Sequence, residues 1–309
     1  MLCFKNTLDM DDDNKEKVID YITEIINSSS DKEHGITIMG GEIGLLSPKN
    51  IIEFVNKLNS KLKYPERVGL ELDTNLVYKL TQEHIELFRL FKEIKTSYDI
   101  GRFLTDEQYN LWKHNVYKVK LLSDIMVTIC VTRDLIEIPP EQFFNTMVQI
   151  GTDNYNLATI APSEYNIKRW GIVKGNNRKE DDWLFDMYIL YKEYKIKKPN
   201  FRIFYFDNIE NLMFNGIEFE DFCRCCMDSR RILYPDNKVS FCPFTQHKPF
   251  YNLNTNTLDQ ENYDYWHNIE KNVKEECKKC HLFKYCKGIV VFIYGMKVVV
   301  LLQKRYLNI

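Results

Sequence analysis

A parallel α/β fold followed by a small cysteine-rich region is what the 309-residue sequence predicts. Three observations predict it. Short apolar strands alternate with amphipathic helices from about residue 13 to 161, the spacing of βα units. The composition is 44% hydrophobic, enough to fill a real core. Seven of the nine cysteines crowd into the last third. Five strands are legible in the alternating part, too few for an eight-stranded barrel, so an open sheet or an incomplete barrel is expected.

In chain order, Val18, Ile19, Ile22, Ile25 and Ile26 share one helical face. Ile36 to Met39 is a strand that runs into Gly40-Gly41. Ser47-Pro48 opens a helix, with serine as N-cap and proline at the first position. Ile51, Ile52, Val55, Leu58 and Leu62 form its buried face. Val68 to Leu72 is the next strand, and Thr81 opens a helix with Ile85, Phe88 and Phe91 inward. Ile94 to Thr96 is a strand. Thr105 and Gln108 form a capping box ahead of Leu111, Trp112, Val116 and Val119. Ile125 to Val131 is β-rich, Pro140 to Ile150 is a helix stopped by Gly151, and Asn156 to Ala161 is a strand. The charged stretch 174–182 marks a boundary before a helix at Trp183 to Tyr194 and a β-rich stretch at Phe201 to Phe206.

Composition also excludes. With 42 basic against 44 acidic residues the chain lacks the basic excess of a nucleic-acid binder. No run of 18 apolar residues is present, so no membrane span is expected. The start, Met1 to Lys5, lacks a secretory layout, and a cytoplasmic location is expected.

Ligands of parallel α/β sheets bind beyond the carboxyl ends of the strands. Those ends here are Gly40-Gly41-Glu42, Asp73-Thr74-Asn75, Ser97 with Asp99, and Thr132-Arg133. Adjacent glycines admit a close backbone approach, and the carboxylate after them can accept from an ammonium group. The late cysteines fall in two groups: Cys223, Cys225, Cys226 and Cys242, then Cys277-x2-Cys280-x5-Cys286. In a reducing compartment such spacing points to metal rather than disulfides, and thiolates select zinc or iron–sulfur clusters. His247, His267 and His281 are near enough in sequence to complete a zinc site.

Taken together these residues resemble the radical SAM superfamily, in the branch with a C-terminal SPASM or twitch domain. Met39-Gly40-Gly41-Glu42 resembles its Gly-Gly-Glu-Pro motif, with Ile43 in place of proline. Thr74-Asn75 resembles its Thr-Asn-Gly strand end, with Leu76 for glycine, and Ser97-Tyr98-Asp99 resembles its Ser-x-Asp strand end. Cys3-Phe4 matches only the last cysteine and the aromatic of the Cys-x3-Cys-x2-Cys-aromatic hallmark. The late cysteines resemble the SPASM pattern, although Val290 stands where a further cysteine belongs.

The resemblance implies an incomplete (β/α)6 TIM-like barrel lacking its first strand over residues 1–175, a connecting region over 176–222 and a Cys-rich domain over 223–309. It implies S-adenosylmethionine held by Gly40, Gly41, Glu42, Thr74, Asn75, Ser97 and Asp99. It also implies [4Fe–4S] clusters on Cys3, Cys223, Cys225, Cys226, Cys242, Cys277, Cys280 and Cys286. The implied activity is hydrogen abstraction by a 5′-deoxyadenosyl radical from a peptide or protein, with flavodoxin or ferredoxin as reductant. With two of three hallmark cysteines missing, the chain reads as truncated at its N-terminus and inactive as given. The competing reading is a zinc-stabilised interaction module without catalysis. Cys130, inside a strand, is expected to be a buried apolar side chain.

Overall fold

The computed structural model describes residues 12–30, 33–39, 42–101, 103, 105–159, 178–214, 231–234, 236–241, 249–267 and 279. The strands are β1 (His34–Ile38), β2 (Val68–Asp73), β3 (Glu93–Tyr98), β4 (Asp124–Val131), β5 (Asn154–Thr159) and β6 (Arg202–Ile203). They form one six-stranded sheet in sequential order. The pairs β1–β2, β2–β3, β4–β5 and β5–β6 are all parallel. The helices are α1 (Asp12–Ser28), α2 (Pro48–Lys61), α3 (Gln82–Phe88), α4 (Asp106–Lys120), α5 (Arg133–Ile136), α6 (Pro140–Ile150), α7 (Arg178–Lys197), α8 (Phe204–Phe214) and α9 (Gln260–His267). This is the open, incomplete barrel type expected from the βα spacing, its sixth strand falling within the β-rich stretch read at Phe201 to Phe206.

The chain separates into two compact units, the first drawn from Met1–Thr96, His114–Ile125 and Cys223–Ile269, the second from Ser97–Lys113, Met126–Phe222 and Glu270–Ile309. In the first unit the apolar face of α1 buries Val18, Ile19 and Ile22, and that of α2 buries Ile51, Phe54, Val55 and Leu58. Each such side chain contributes about 1.5–3 kcal/mol through removal of apolar surface from water. The same unit holds a four-stranded antiparallel sheet, β7 (Ile232–Leu233), β8 (Lys238–Ser240), β9 (Tyr251–Asn252) and β10 (Thr257–Leu258). It meets α1 through Lys17 Nζ to Asn254 Oδ1 at 3.2 Å and through the Tyr21 and Tyr251 rings, whose centroids lie 5.8 Å apart. In the second unit α6 and α7 pack an aromatic core in which Phe201 meets Phe144, Tyr155 and Tyr194.

Several local expectations need correction. Phe204–Phe206 opens α8 instead of extending a strand. The aromatic run carries β-propensity, yet Phe206 and Ile209 are buried three apart, the helical period, and packing decides. The face that α3 buries is His84, Leu87 and Phe88, with Ile85 only half-buried. Ser47 begins α2 by backbone position and makes no side-chain cap bond. β5 starts at Asn154, two residues before the sequence reading placed it. Cys130 is half-buried, on the face of β4 opposite Ile129 and Val131. Gly151 does end α6 in the left-handed region, at φ 85°. Among the described residues no helix is long and apolar enough to cross a membrane.

Candidate functional site

Strands β1 and β2 run parallel with Ile38 level with Leu72, so the chain leaves both at the same edge. At that edge Glu42 is tied to both strand ends. Its Oε1 accepts from the Gly44 N–H at 2.8 Å and from the Thr74 hydroxyl at 2.6 Å. Its Oε2 accepts from the Asn75 N–H at 2.8 Å. Glu42 thereby caps the 3-10 turn Ile43–Leu45. The Thr74 hydrogen is spent on this carboxylate, so the Tyr78 hydroxyl donates to Thr74 Oγ1 across 2.9 Å. The Thr74 N–H reaches the Lys95 carbonyl at 2.9 Å and fastens the group to β3.

The support beneath is tightly fitted. A Cβ on Gly44 would fall inside the Tyr78 ring, so only glycine allows that ring to lie there. Burial pushes the Tyr78 phenol well above its usual range, which keeps it a neutral donor at ordinary pH. His84 Nδ1 accepts the Thr81 N–H at 3.2 Å in a capping box; its ring hydrogen is therefore assigned to Nε2, 3.4 Å from the Gly44 carbonyl. Leu76 is fully buried with φ 53°, the conformation a glycine would take. Asn115 on α4, itself buried, donates to the Leu76 and Tyr78 carbonyls at 2.9 and 2.7 Å and pins that turn.

The structure thus brings Glu42, Thr74 and Asn75 together. Ser97 and Asp99 belong to the second compact unit, where Asp99 Oδ1 accepts the Cys130 N–H at 3.2 Å. Gly40 and Gly41 lie outside the described residues, as do Cys3, Cys223, Cys225, Cys226, Cys242, Cys277, Cys280 and Cys286.

A polar cluster escaped the sequence reading. On the face of β2 opposite Leu70 and Leu72 lie Glu71 and Asp73, in register with Glu93 and Lys95 of β3. Lys95 Nζ bonds Glu71 at 2.5 Å and approaches Glu93 at 3.5 Å, while the Thr37 hydroxyl donates to Glu71 at 2.6 Å. Burial opposes the Glu71 charge, but Lys95 and Thr37 outweigh it and hold the carboxyl below its usual range. Burial lifts Glu93 instead, with Glu71 adding repulsion against the attraction of Lys95. Asp73 rises to about 6, chiefly through burial, and its Oδ1 is buried with no hydrogen-bond partner. The available signal was the alternation Leu-Glu-Leu-Asp and Glu-Ile-Lys-Thr inside strands whose other face packs apolar.

A parallel sheet of this order is that of a partial α/β barrel, a class whose ligands bind beyond the carboxyl ends of the strands. Among solved structures the chain is similar to anSMEcpe with bound AdoMet and Cp18Cys peptide, at TM-score 0.73 and 16% identity over 99% of this chain and 97% of that one. The same protein with AdoMet and Kp18Cys peptide matches at 0.73 and 15%, over 99% and 98%. Streptococcus suis SuiB bound to S-adenosylmethionine matches at 0.59 and 12%, over 94% and 72%. No family model matches the chain, and no curated protein matches it in sequence. This chain has the fold of the two matched proteins, a partial TIM-like barrel.

Proposed function

We propose that the chain is a radical SAM enzyme acting on a peptide or protein. The observation that carries the reading is Glu42, fixed by three donors at the edge where β1 and β2 end. A carboxylate offers about four lone-pair sites. Three are used here, and the one left on Oε2 suits the ammonium of S-adenosylmethionine. Gly40 and Gly41 would let backbone approach it, Thr74 and Asn75 hold the carboxylate in orientation, and Ser97 and Asp99 would face the ribose. Bound there, S-adenosylmethionine beside a reduced [4Fe–4S] cluster would supply a 5′-deoxyadenosyl radical for hydrogen abstraction from the substrate.

The thiolates of Cys3, Cys223, Cys225, Cys226, Cys242, Cys277, Cys280 and Cys286 are a soft donor set of the kind that binds iron–sulfur clusters. On this reading residues 1–175 form the catalytic barrel, 176–222 connect, and 223–309 hold auxiliary clusters. The location is cytoplasmic, the reductant is a flavodoxin or ferredoxin, and neither nucleic acid nor membrane is a partner. The peptide substrate is supported by the shared fold, because anSMEcpe is seen with peptides bound.

Binding and turnover test different parts of the proposal. Calorimetry should show S-adenosylmethionine binding by the 309-residue chain, weakened about tenfold or more in Glu42→Gln, since hydrogen bonds to charged groups are worth about 1.5–3 kcal/mol. Release of 5′-deoxyadenosine after cluster reconstitution and dithionite reduction measures turnover, and its absence would sink the radical reading. Equal affinity of wild type and Glu42→Gln would sink the binding site. Stoichiometric zinc without sulfide in anaerobically purified protein would favour the zinc-stabilised module.

A further inference from the structure

Glu42 meets the end of β2 through Thr74, and Thr74 is itself held from behind. Its hydroxyl gives its one hydrogen to Glu42 Oε1 at 2.6 Å. The same oxygen takes a hydrogen from the Tyr78 hydroxyl at 2.9 Å and, at the longer distance of 3.4 Å, one from the Leu76 N–H. A hydroxyl has one hydrogen and two lone pairs, so Thr74 is saturated. The far end fixes the order of donation, because an ionised carboxylate only accepts. Tyr78 therefore donates to Thr74, and Thr74 to Glu42.

Such a chain polarises along its length, and each bond strengthens the next by about 10–30%. The 2.6 Å contact has the length of a charge-assisted bond to a carboxylate. Burial and the nearby Glu42 charge push the Tyr78 phenol up, against the pull of Thr74, so it keeps the hydrogen it donates. Helix α3 holds the phenol in place. The Tyr78 ring lies 5.2 Å from that of His84, whose Nε2 is 3.4 Å from the Gly44 carbonyl. His84 in turn lies 6.3 Å from the fully buried ring of Phe88. The two donors to Glu42 Oε1, the Gly44 N–H and the Thr74 hydroxyl, are thus backed by one pair of rings.

We infer that Tyr78 is a positioning residue of this site: its hydroxyl, acting through Thr74, sets the Glu42 carboxylate that receives the ammonium of the cofactor. The inference rests on the cofactor reading of Glu42 and deepens it, since it names a residue outside the strand-end motif that governs affinity. Tyr78→Phe in the full chain keeps the ring beside Gly44 and His84 and removes only the oxygen, with a thermal melt as the folding control. Calorimetry should show S-adenosylmethionine bound about two- to fivefold more weakly, the transmitted share of one neutral hydrogen bond. In a Thr74→Val background the same substitution should leave affinity unchanged, because the relay is already cut.

Infrared spectroscopy reads the carboxylate directly and needs no ligand. The Glu42 stretch is isolated as the difference between each protein and its Glu42→Gln counterpart. It should shift between wild type and Tyr78→Phe, a change that packing of the ring alone does not produce. An unshifted band, an unchanged affinity in Tyr78→Phe, or an equal loss in the Thr74→Val background each overturns the inference. A wild-type chain that binds no S-adenosylmethionine refutes the cofactor reading. The band then decides alone between a Tyr78 that sets Glu42 and one that only packs.

Discussion

Replacing Asp73 by asparagine isolates the one acid of the β2–β3 cluster that has no cationic partner in contact. Its carboxyl rises from 3.8 to about 6 because burial disfavours the charge, with Lys95 pulling the other way and Glu71 and Glu93 pushing with it. An acid whose pKa is raised on folding favours the folded state only while protonated. Its relative contribution is greatest below pH 3.8 and is lost as pH rises through about 6. The difference between 3.8 and about 6 corresponds to about 3 kcal/mol at 1.36 kcal/mol for each pH unit. Asparagine keeps the shape and does not titrate. The stability of Asp73→Asn relative to wild type should therefore climb by about 2–3 kcal/mol from pH 4 to pH 8, with most of the rise complete by pH 7. Urea unfolding of both proteins across that range measures it, and Glu93 cancels to first order because both carry it. The absolute offset reflects how well the amide is hydrogen-bonded; the pH-dependent part reflects the buried charge. A flat difference across the range would mean that Asp73 titrates like a solvated carboxylate, and the buried-cluster reasoning would fail.

Three further substitutions probe the support of Glu42. Gly44→Ala puts a methyl group into the Tyr78 ring and should cost about 1–3 kcal/mol in thermal or urea unfolding, with much less loss in a Tyr78→Ala background. Asn115→Ala strips the partner from the Leu76 and Tyr78 carbonyls and should destabilise by about 1–3 kcal/mol, seen also as faster amide exchange at residues 75–78. Leu76→Gly relieves about 1–2 kcal/mol of left-handed backbone cost but removes a fully buried side chain worth about 2–5 kcal/mol, so the variant should be less stable. A stabilised Leu76→Gly protein would show that backbone strain outweighs packing there.

The fold was legible because its cues are local. Helix periodicity in α1 and α2, the proline that starts α2 and the glycine that ends α6 each act within a turn or two. Glu42, Thr74 and Asn75 were also legible, since strand ends of a parallel sheet converge by topology and only their identity needed reading. What was lost depends on contacts remote in sequence. Asn115 serves residues 37 and 39 positions away, and its polar atoms show nothing in an otherwise amphipathic helix. The Asp73 orphan oxygen follows from the register that pairs it with Lys95 while that lysine turns to Glu71, a choice of rotamer and not of residue type. The helix at Phe204 was missed because aromatic residues favour strands until tertiary packing selects the helical period.

The two departures from motif residues at the strand ends bear on whether Glu42 keeps its anchoring, and the structure accounts for both. Ile43 stands where a proline is expected, and it is buried at the start of the 3-10 turn that Glu42 caps. A proline there would fix φ, a service rendered instead by apolar burial and by the Glu42 bond to the Gly44 N–H. Leu76 stands where a glycine is expected, and the backbone takes the glycine conformation regardless, at φ 53°. That cost of about 1–2 kcal/mol is offset by about 1.5–3 kcal/mol from burying the leucine, and Asn115 holds the carbonyl the turn exposes. The glycine was therefore needed for a backbone path, and a leucine can follow the same path when its side chain fills the space beneath. Because the Asn75 N–H precedes the turn and still points at Glu42 Oε2, the anchoring of the carboxylate survives both exchanges. The anchoring of Glu42 rests on hydrogen-bond geometry, which residue-by-residue comparison with a motif understates.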